Sequence, residues 1–435
     1  MKGREIGRLP ALAMMAALLV SVGLLQSWNV ALSILNLCLI SAIMAIGVNI
    51  QWGYAGLFNV GIMGFAALGG LAVVLVSTPP VREAWSAGSG GLLAAAIVAG
   101  TGCLLAFVAH KRLPPGRTRT LSILAVLVVS YFLARWFFGP ATDAVERIEP
   151  AKTGFLGGLG LPVILSWIIG GMLAGGAAWF IGKIALGLRS DYLAIATLGI
   201  SEIIVAVLKG EDWLTRGVKN VVGLPRPVPY EVELQDRDWL KAFAESTNAD
   251  LASLSSIIVK LTYCALFATV LAVVFVLSEL ALKSPWGRMM RAIRDNETAA
   301  NAMGKDVTGR HLEVFVLGSI VVGLAGAMLT TLDGQMTPAS YQPLRFTFLI
   351  WVMVIVGGSG NNWGAVLGGF LIWFLWVEAE PAGLFLMDFL TAWLDEDSGL
   401  RAHLIDSAAH MRLLTMGFLL ILVLRFFPKG LIPER

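Results

Sequence analysis

The stretch LNLCLISAIMAIGVNI, residues 35–50, carries no charge and lies inside an apolar run from 31 to 51. A helix needs roughly 20 such residues to cross a bilayer, so this run reads as a membrane span. Residues 9–26 and LTMGFLLILVLRFF, 414–427, read the same way, in a chain that is 57% hydrophobic with a mean hydropathy of +0.78. Apolar windows predict spans near 9–27, 31–51, 58–76, 90–110, 119–138, 162–186, 192–208, 256–282, 312–332 and 411–427. A pair at 346–357 and 364–377 is interrupted by GGSGNNWG, 357–364. The sequence thus predicts an all-α polytopic membrane protein of about ten transmembrane helices plus a broken or re-entrant helix pair, within one membrane domain over 1–435.

Charge sets the expected orientation. The 32 basic and 29 acidic side chains give a net charge of only +3, so their distribution between loops is what informs. Lys111, Arg112, Arg117 and Arg119 stand without an acid, and Lys283, Arg288, Arg291, Arg294, Lys305 and Arg310 outnumber Asp295, Glu297 and Asp306. Those loops are expected to be cytoplasmic, with both termini on the same side. Segments 77–89, 139–161, 209–255, 333–345 and 378–410 then lie outside. The last is acidic, with Glu378, Glu380, Asp388, Asp395, Glu396, Asp397 and Asp406 against Arg401. This parity requires 346–377 to enter and leave on one side, its halves each too short to cross; one long tilted span is the competing arrangement. Lys2, Arg4 and Arg8 before the first span imitate a signal peptide, but no small-x-small site follows Leu25, so an uncleaved span is expected.

Catalytic constellations are missing from the sequence. The four histidines are scattered, and no Ser-His-Asp or Cys-His order and no GxxxxGK[ST] phosphate loop occurs. Cys38, Cys103 and Cys264 lie far apart in apolar runs, without metal-site or disulfide spacing, and no metal site is expected. A chain of this kind moves a solute uphill only on an ion gradient or on a partner's energy.

One polar stretch stands apart: RAIRDNETAANAMG, 291–304, within the loop 284–311. It is rich in helix formers and reads as a surface helix over 286–306. On a helical wheel Met289, Ile293, Ala300 and Gly304 share one face and Arg288, Arg291 and Asp295 another, so the plain alternative is a basic amphipathic helix on the membrane surface. Preceded by SPWGRMMRAIRDN, the pattern E-x-A-A-x-x-x-G, from Glu297 through Ala299 and Ala300 to Gly304, resembles the coupling-helix loop of branched-chain amino acid ABC importer permeases of the LivM type. The likeness extends to NIQWGYAGLFNVGIMGFAALGG, 49–70, through Asn49, Gly53, Tyr54, Ala55, Gly56, Gly61 and Phe65. It continues in LRSDYLAIATLGISEII, 188–204, through Arg189, Tyr192, Thr197 and Glu202, and in TRGVKNVVGLP, 215–225. VIVGGSGNNWGAVLGG, 354–369, with Gly357, Gly358, Gly360, Trp363 and Gly364, and the tail FPKGLIPER complete it. Leu57, Phe58, Asn59, Ile62, Met63, Lys219 and Asn220 depart from the family pattern, and 77–185 shows little that matches.

The resemblance implies an ABC importer permease bundle in a bacterial inner membrane, with a second permease, two ATPase subunits and a periplasmic substrate-binding protein as partners. ATP and Mg would be bound by the ATPases, with no cofactor on this chain and no nucleic acid, and Arg288, Arg291, Arg294, Glu297, Ala299, Ala300 and Gly304 would couple to them. It implies a branched-chain or other neutral amino acid as solute, with urea or a short amide as the near alternative. A rival from another class is an ion-coupled secondary transporter, which predicts inverted repeats that the sequence does not display.

Two features bear on a path. The glycines of 53–70 allow either close helix packing or a helix break at which Asn49, Tyr54 and Asn59 meet a polar solute. Glu202 lies within a span, where a charged carboxylate costs about 2.5–3.5 kcal/mol on insertion scales, so it is expected to face protein or water. A hydrogen bond to Ser201 or a neighbouring helix, path lining and a proton relay all satisfy that. The loop 209–255 is expected to cap the outer surface and, with 378–410, to receive the binding protein.

Overall fold

The computed structural model describes residues 7–149, 153–395 and 398–434, so the expectations for Lys2, Arg4, Glu396 and Asp397 fall outside the described residues. Among those described, nine helices are long and apolar enough to cross a membrane, and three shorter apolar helices accompany them. In chain order the first elements are α1 (Arg8–Leu25), α2 (Trp28–Asn49), α3 (Ile62–Ser77), α4 (Arg82–Arg112), α5 (Arg117–Glu146), α6 (Val163–Ala185) and α7 (Ser190–Gly210). The short α8 (Asp212–Thr215), strand β1 (Val221–Val222), α9 (Glu231–Gln235) and α10 (Asp238–Thr247) lead to α11 (Leu251–Lys283). Then come α12 (Pro285–Asp295), α13 (Glu297–Ala302), α14 (Val307–Asp333), β2 (Gln335–Met336), α15 (Pro343–Gly357), α16 (Asn362–Thr391), α17 (Gly399–Asp406) and α18 (Met411–Phe426). The end of the bundle carrying α12 and α13 is called the lower end here, and that carrying 334–342 the upper end.

Helices α2, α3, α6 and α14 form the centre, with α11, α15 and α16 packed around α2. Small residues let them approach: a Cβ on Gly69 of α3 would strike the Gly323 carbonyl of α14. Helices α4 and α5 pack chiefly on each other as a hairpin whose lipid-length windows are almost unburied. Arg135 lies on its exposed face.

Three expectations are corrected. The halves of 346–377 are not both short: α15 has 15 residues, about 22 Å of helix, but α16 has 30, about 45 Å. The pair is an antiparallel hairpin that starts and ends at the upper end and turns at 358–361 at the lower end, which excludes a single tilted span. Secondly, the span expected to end at 377 does not end there: α16 continues through Pro381 to Thr391, and Arg412 pairs with Glu380 at 2.5 Å. Thirdly, 286–306 is two helices. Asn296 adopts an extended conformation, accepts from the Ala299 amide at 2.9 Å, and so starts α13 as it ends α12.

The upper end carries short ordered elements rather than slack chain. β1 pairs antiparallel with β2, Val221 opposite Met336 and Val222 opposite Gln335, which ties the 209–250 segment to the 334–342 turn.

Candidate functional site

The polar and glycine-rich segments converge at the lower end. Helix α2 ends in a π-helical turn, Ile50–Tyr54, and the chain then runs irregularly through Gly56 at φ +71° to α3. Such a break frees backbone groups that lipid cannot satisfy. Here the protein satisfies them: the Gly61 amide bonds Asn59 Oδ1 at 2.8 Å, Val60 bonds Thr197 Oγ1 at 3.1 Å, and Gly64 bonds Ser201 Oγ at 2.8 Å. Asn59 Nδ2 donates to Gln51 Oε1 at 2.9 Å, and Gln51 Nε2 donates to the Phe315 carbonyl and to Ser319 on α14. Trp351 Nε1 donates to the Asn59 carbonyl at 3.0 Å, inside a cluster of Trp52, Phe58 and Trp351 rings.

Asn362, the first residue of α16, is the hub of a second network. Its Oδ1 accepts from Tyr54 at 2.5 Å and from Asn49 Nδ2 at 3.1 Å, while its Nδ2 donates to Glu279 Oε1 at 3.1 Å. Glu279 pairs in turn with Lys283 at 3.2 Å. Asn49 Oδ1 accepts the Gly360 amide at 2.8 Å. Gly53 is required by this closeness, because a Cβ there would collide with Asn49 Oδ1 and the Gly360 amide.

The α12–α13 unit is fastened to this knot. Ser284 and Pro285 open α12 with an N-cap and a first-turn proline, and Met290 and Ile293 are fully buried beneath it. Arg294 donates to the Gly53 carbonyl of the π turn and pairs with Glu434 at 2.8 Å; Arg291 stands 4.0 Å from the same carboxylate. Glu434 belongs to a tail laid along the end of α15, where Leu431 and Ile432 donate to the Val356 and Gly357 carbonyls at 2.9 Å. Asn361 Nδ2 bonds the Pro433 carbonyl at 3.1 Å. The tail thus occupies orphan carbonyls at the C-terminus of α15. On the other side of α12 and α13 a concavity of about 680 Å³ opens, lined by Trp286, Met289, Ala292, Ala299, Ala300 and Met303, with Lys305 and Arg310 at its edge.

Of the expected coupling residues, Ala299 and Ala300 line that concavity, Glu297 and Arg288 are exposed, and Arg291 and Arg294 turn inward to the tail. Gly304 does not continue an apolar stripe: it terminates α13 at φ +74° with open space around it. Asn49, Tyr54 and Asn59 line no open path, since all three are buried and bonded to the chain's own groups. Gly357, Gly358 and Gly364 form the tight hairpin tip, whereas Trp363 meets Phe275 edge to face.

Glu202 lies on the outer face of α7. It is exposed on α7 and makes no hydrogen bond or ion pair among the described residues, while its neighbour Ser201 serves Gly64. Sequence reasoning missed Gln51, Glu279, Asn362 and Glu434. Only Glu279, an acid in the last turn of a span, carried a signal of its own.

The family model described as branched-chain amino acid transport system / permease component matches residues 30–156 and 151–424, including the region 77–185 where motifs were not legible. The chain is 28% identical over 273 residues to the high-affinity branched-chain amino acid transport system permease protein LivM of Escherichia coli K12, covering 61% of this chain and 56% of that protein. It is 25% identical over 297 residues to the probable branched-chain amino acid transport permease protein LivM of Methanocaldococcus jannaschii, 68% of this chain and 74% of that one. With the xylose transport system permease protein XylH of Escherichia coli K12 it shares 24% over 263 residues, 58% of this chain and 53% of the relative. The chain thus spans about half the length of the Escherichia coli relatives it matches. No solved structure matches.

Proposed function

The chain belongs to the family of branched-chain amino acid transport system permease components, and we propose that it is the transmembrane permease subunit of an ATP-driven importer for branched-chain or other neutral amino acids. It catalyses no reaction itself and binds no cofactor; ATP and Mg belong to two partner ATPases. The observation that carries this reading is the two-sided α12–α13 unit. One side is a concavity with an apolar lining and a basic edge, suited to receive a surface of another protein. Through Arg294 the other side holds the π turn and the tail, and through them the tip of the α15–α16 hairpin. A displacement of α12 reaches the end of α2 through a polar connection rather than through slack loop.

The exposed Glu202 supports a second permease subunit, because a carboxylate at mid-helix cannot face hydrocarbon cheaply and needs protein or water against it. In this reading the ordered elements α8, α9, α10 and the β1–β2 ladder form the surface for a solute-binding protein, with the upper end outside and the lower end, and both termini, on the cytoplasmic side. The test is isolation of the tagged chain from native membranes in mild detergent, beside a variant with 291–304 replaced by a Gly/Ser linker. An ATPase subunit is expected with the native chain and not with the variant. An ATPase with neither removes the coupling role.

A further inference from the structure

Near the upper end, α2, α3, α14, α15 and α16 enclose a cavity of about 260 Å³ that the networks of the lower end do not reach. Its inner wall is apolar, made by Ile40, Met44, Met63, Leu349, Ile350 and Met353. Its polar groups are few. Asp333, the last residue of α14, is exposed at this wall and makes no ion pair among the described residues. A carboxylate at a helix C-terminus adds to the negative end of the helix dipole, so the position favours a cation. Trp373 Nε1 and Thr337 Oγ1, in the same lining, are buried without a hydrogen-bond partner. A buried donor left unmade is unfavourable by about 1–3 kcal/mol, so these two groups are poised for an acceptor that enters the cavity. Tyr341 and Thr330 do not compete for it, because their hydroxyls bond each other at 2.6 Å.

We propose that this cavity is a solute-binding station of the permease, taking a zwitterionic α-amino acid with an aliphatic side chain. Asp333 takes the ammonium, the Trp373 N–H and Thr337 O–H take the carboxylate, and the methionine-rich wall takes the side chain. The inference rests on the permease reading and gives it a site. Sugars ask for polar partners all round, and urea has nothing to offer six apolar side chains, so the lining discriminates against both. Methionines suit a wall that must accept branched side chains of different shape. The station is also connected to the coupling end: Met44 in its wall and Asn49 in the Asn362 network lie five residues apart on α2, about 7.5 Å of rise.

The experiment is calorimetric titration of the purified full-length chain in nanodiscs with L-leucine, leucinamide, 4-methylpentanoate and urea. The preparations are native, Asp333→Asn, Trp373→Phe and Thr337→Val, each checked for an unchanged melting curve. No substitution removes a partner that the fold uses, and Trp373→Phe and Thr337→Val serve as alternatives should one fail to fold. Saturable L-leucine binding is expected in the native chain. Asp333→Asn should weaken L-leucine about tenfold or more and leave 4-methylpentanoate unchanged, whereas the other two should weaken 4-methylpentanoate and leave leucinamide unchanged. L-Leucine binding unaffected by all three variants, binding of urea in its place, or no binding at all overturns the station. The permease reading is judged separately by ATPase co-purification with the same preparations, so a chain that brings down its ATPase but binds no L-leucine refutes the station alone.

Discussion

Replacing Arg294 by alanine tests whether α12 is a lever or a surface ornament. The substitution removes the pair with Glu434 at 2.8 Å and the bond to the Gly53 carbonyl, and leaves Glu434 with Arg291 at 4.0 Å. The two side chains are 25% and 27% exposed, so the pair belongs neither with open surface bridges, worth about 0–1 kcal/mol, nor with dry ones, whose breaking costs about 3–5 kcal/mol. About 1–3 kcal/mol is the expected loss, which loosens α12 from the π turn without unfolding a bundle held by the packing of α2, α3, α6 and α14. In proteoliposomes of the assembled transporter the variant should keep its ATPase partners and basal hydrolysis but lose most transport per ATP hydrolysed. A cycle of Arg294→Ala, Glu434→Ala and the double variant, read by thermal melting, should give a coupling energy of about 1–2 kcal/mol. Undiminished transport per ATP in Arg294→Ala, or strictly additive melting effects, would refute the lever.

Further expectations follow from the same end of the bundle and from α7. Ala299→Trp puts a large ring into the concavity beside α13 and should abolish ATPase co-purification while membrane insertion stays normal; retained co-purification would move the docking surface elsewhere. At Gly304, φ +74° with open space means that strain, not bulk, decides. Gly304→Asn should therefore melt close to native and Gly304→Val about 1 kcal/mol lower, and equal melting of the two would contradict the left-handed cap. Glu202→Leu should reduce recovery of a second permease in pull-downs more than Glu202→Gln does. If Glu202→Leu instead raises expression with assembly intact, that face of α7 meets lipid.

The spans were legible because the bilayer demands long apolar runs, and the ends were not, because α4, α5 and α16 continue past their apolar windows as ordinary helix in sequence that carries charges and, in α5 and α16, a proline. The break after Asn49 was legible in its glycines. Its use was not: the sequence could not show that Thr197 and Ser201 would satisfy freed amides, nor that Gln51 would engage Asn59 and Asn362 would engage Asn49 and Tyr54. Periodicity over 286–306 suggested one helix, but Asn296 offers its side chain to the backbone amide three residues on, and that local competition won. Glu434 had no signal at all, since its partner lies 140 positions earlier (434 − 294) and pairing at that separation is a property of the fold.

The joint between α2 and α16 is polar inside a core that is mainly apolar, and that choice calls for a reason. Buried polar networks seldom add stability beyond what a well-packed apolar replacement would supply, but they specify one arrangement and exchange it for another as a unit. Asn362→Leu removes the acceptor of Tyr54 and the partner of Asn49 and Glu279, and with two or more buried groups stranded it should lower stability by at least about 2 kcal/mol. Adding Tyr54→Phe removes one stranded hydroxyl, so the double variant should recover about 1 kcal/mol of that loss. Transport should not recover with it, because the network that positions the end of α2 against the hairpin tip stays broken. If stability and transport return together in the double variant, the network serves packing alone, and the connection from α12 to the solute cavity must run through other contacts.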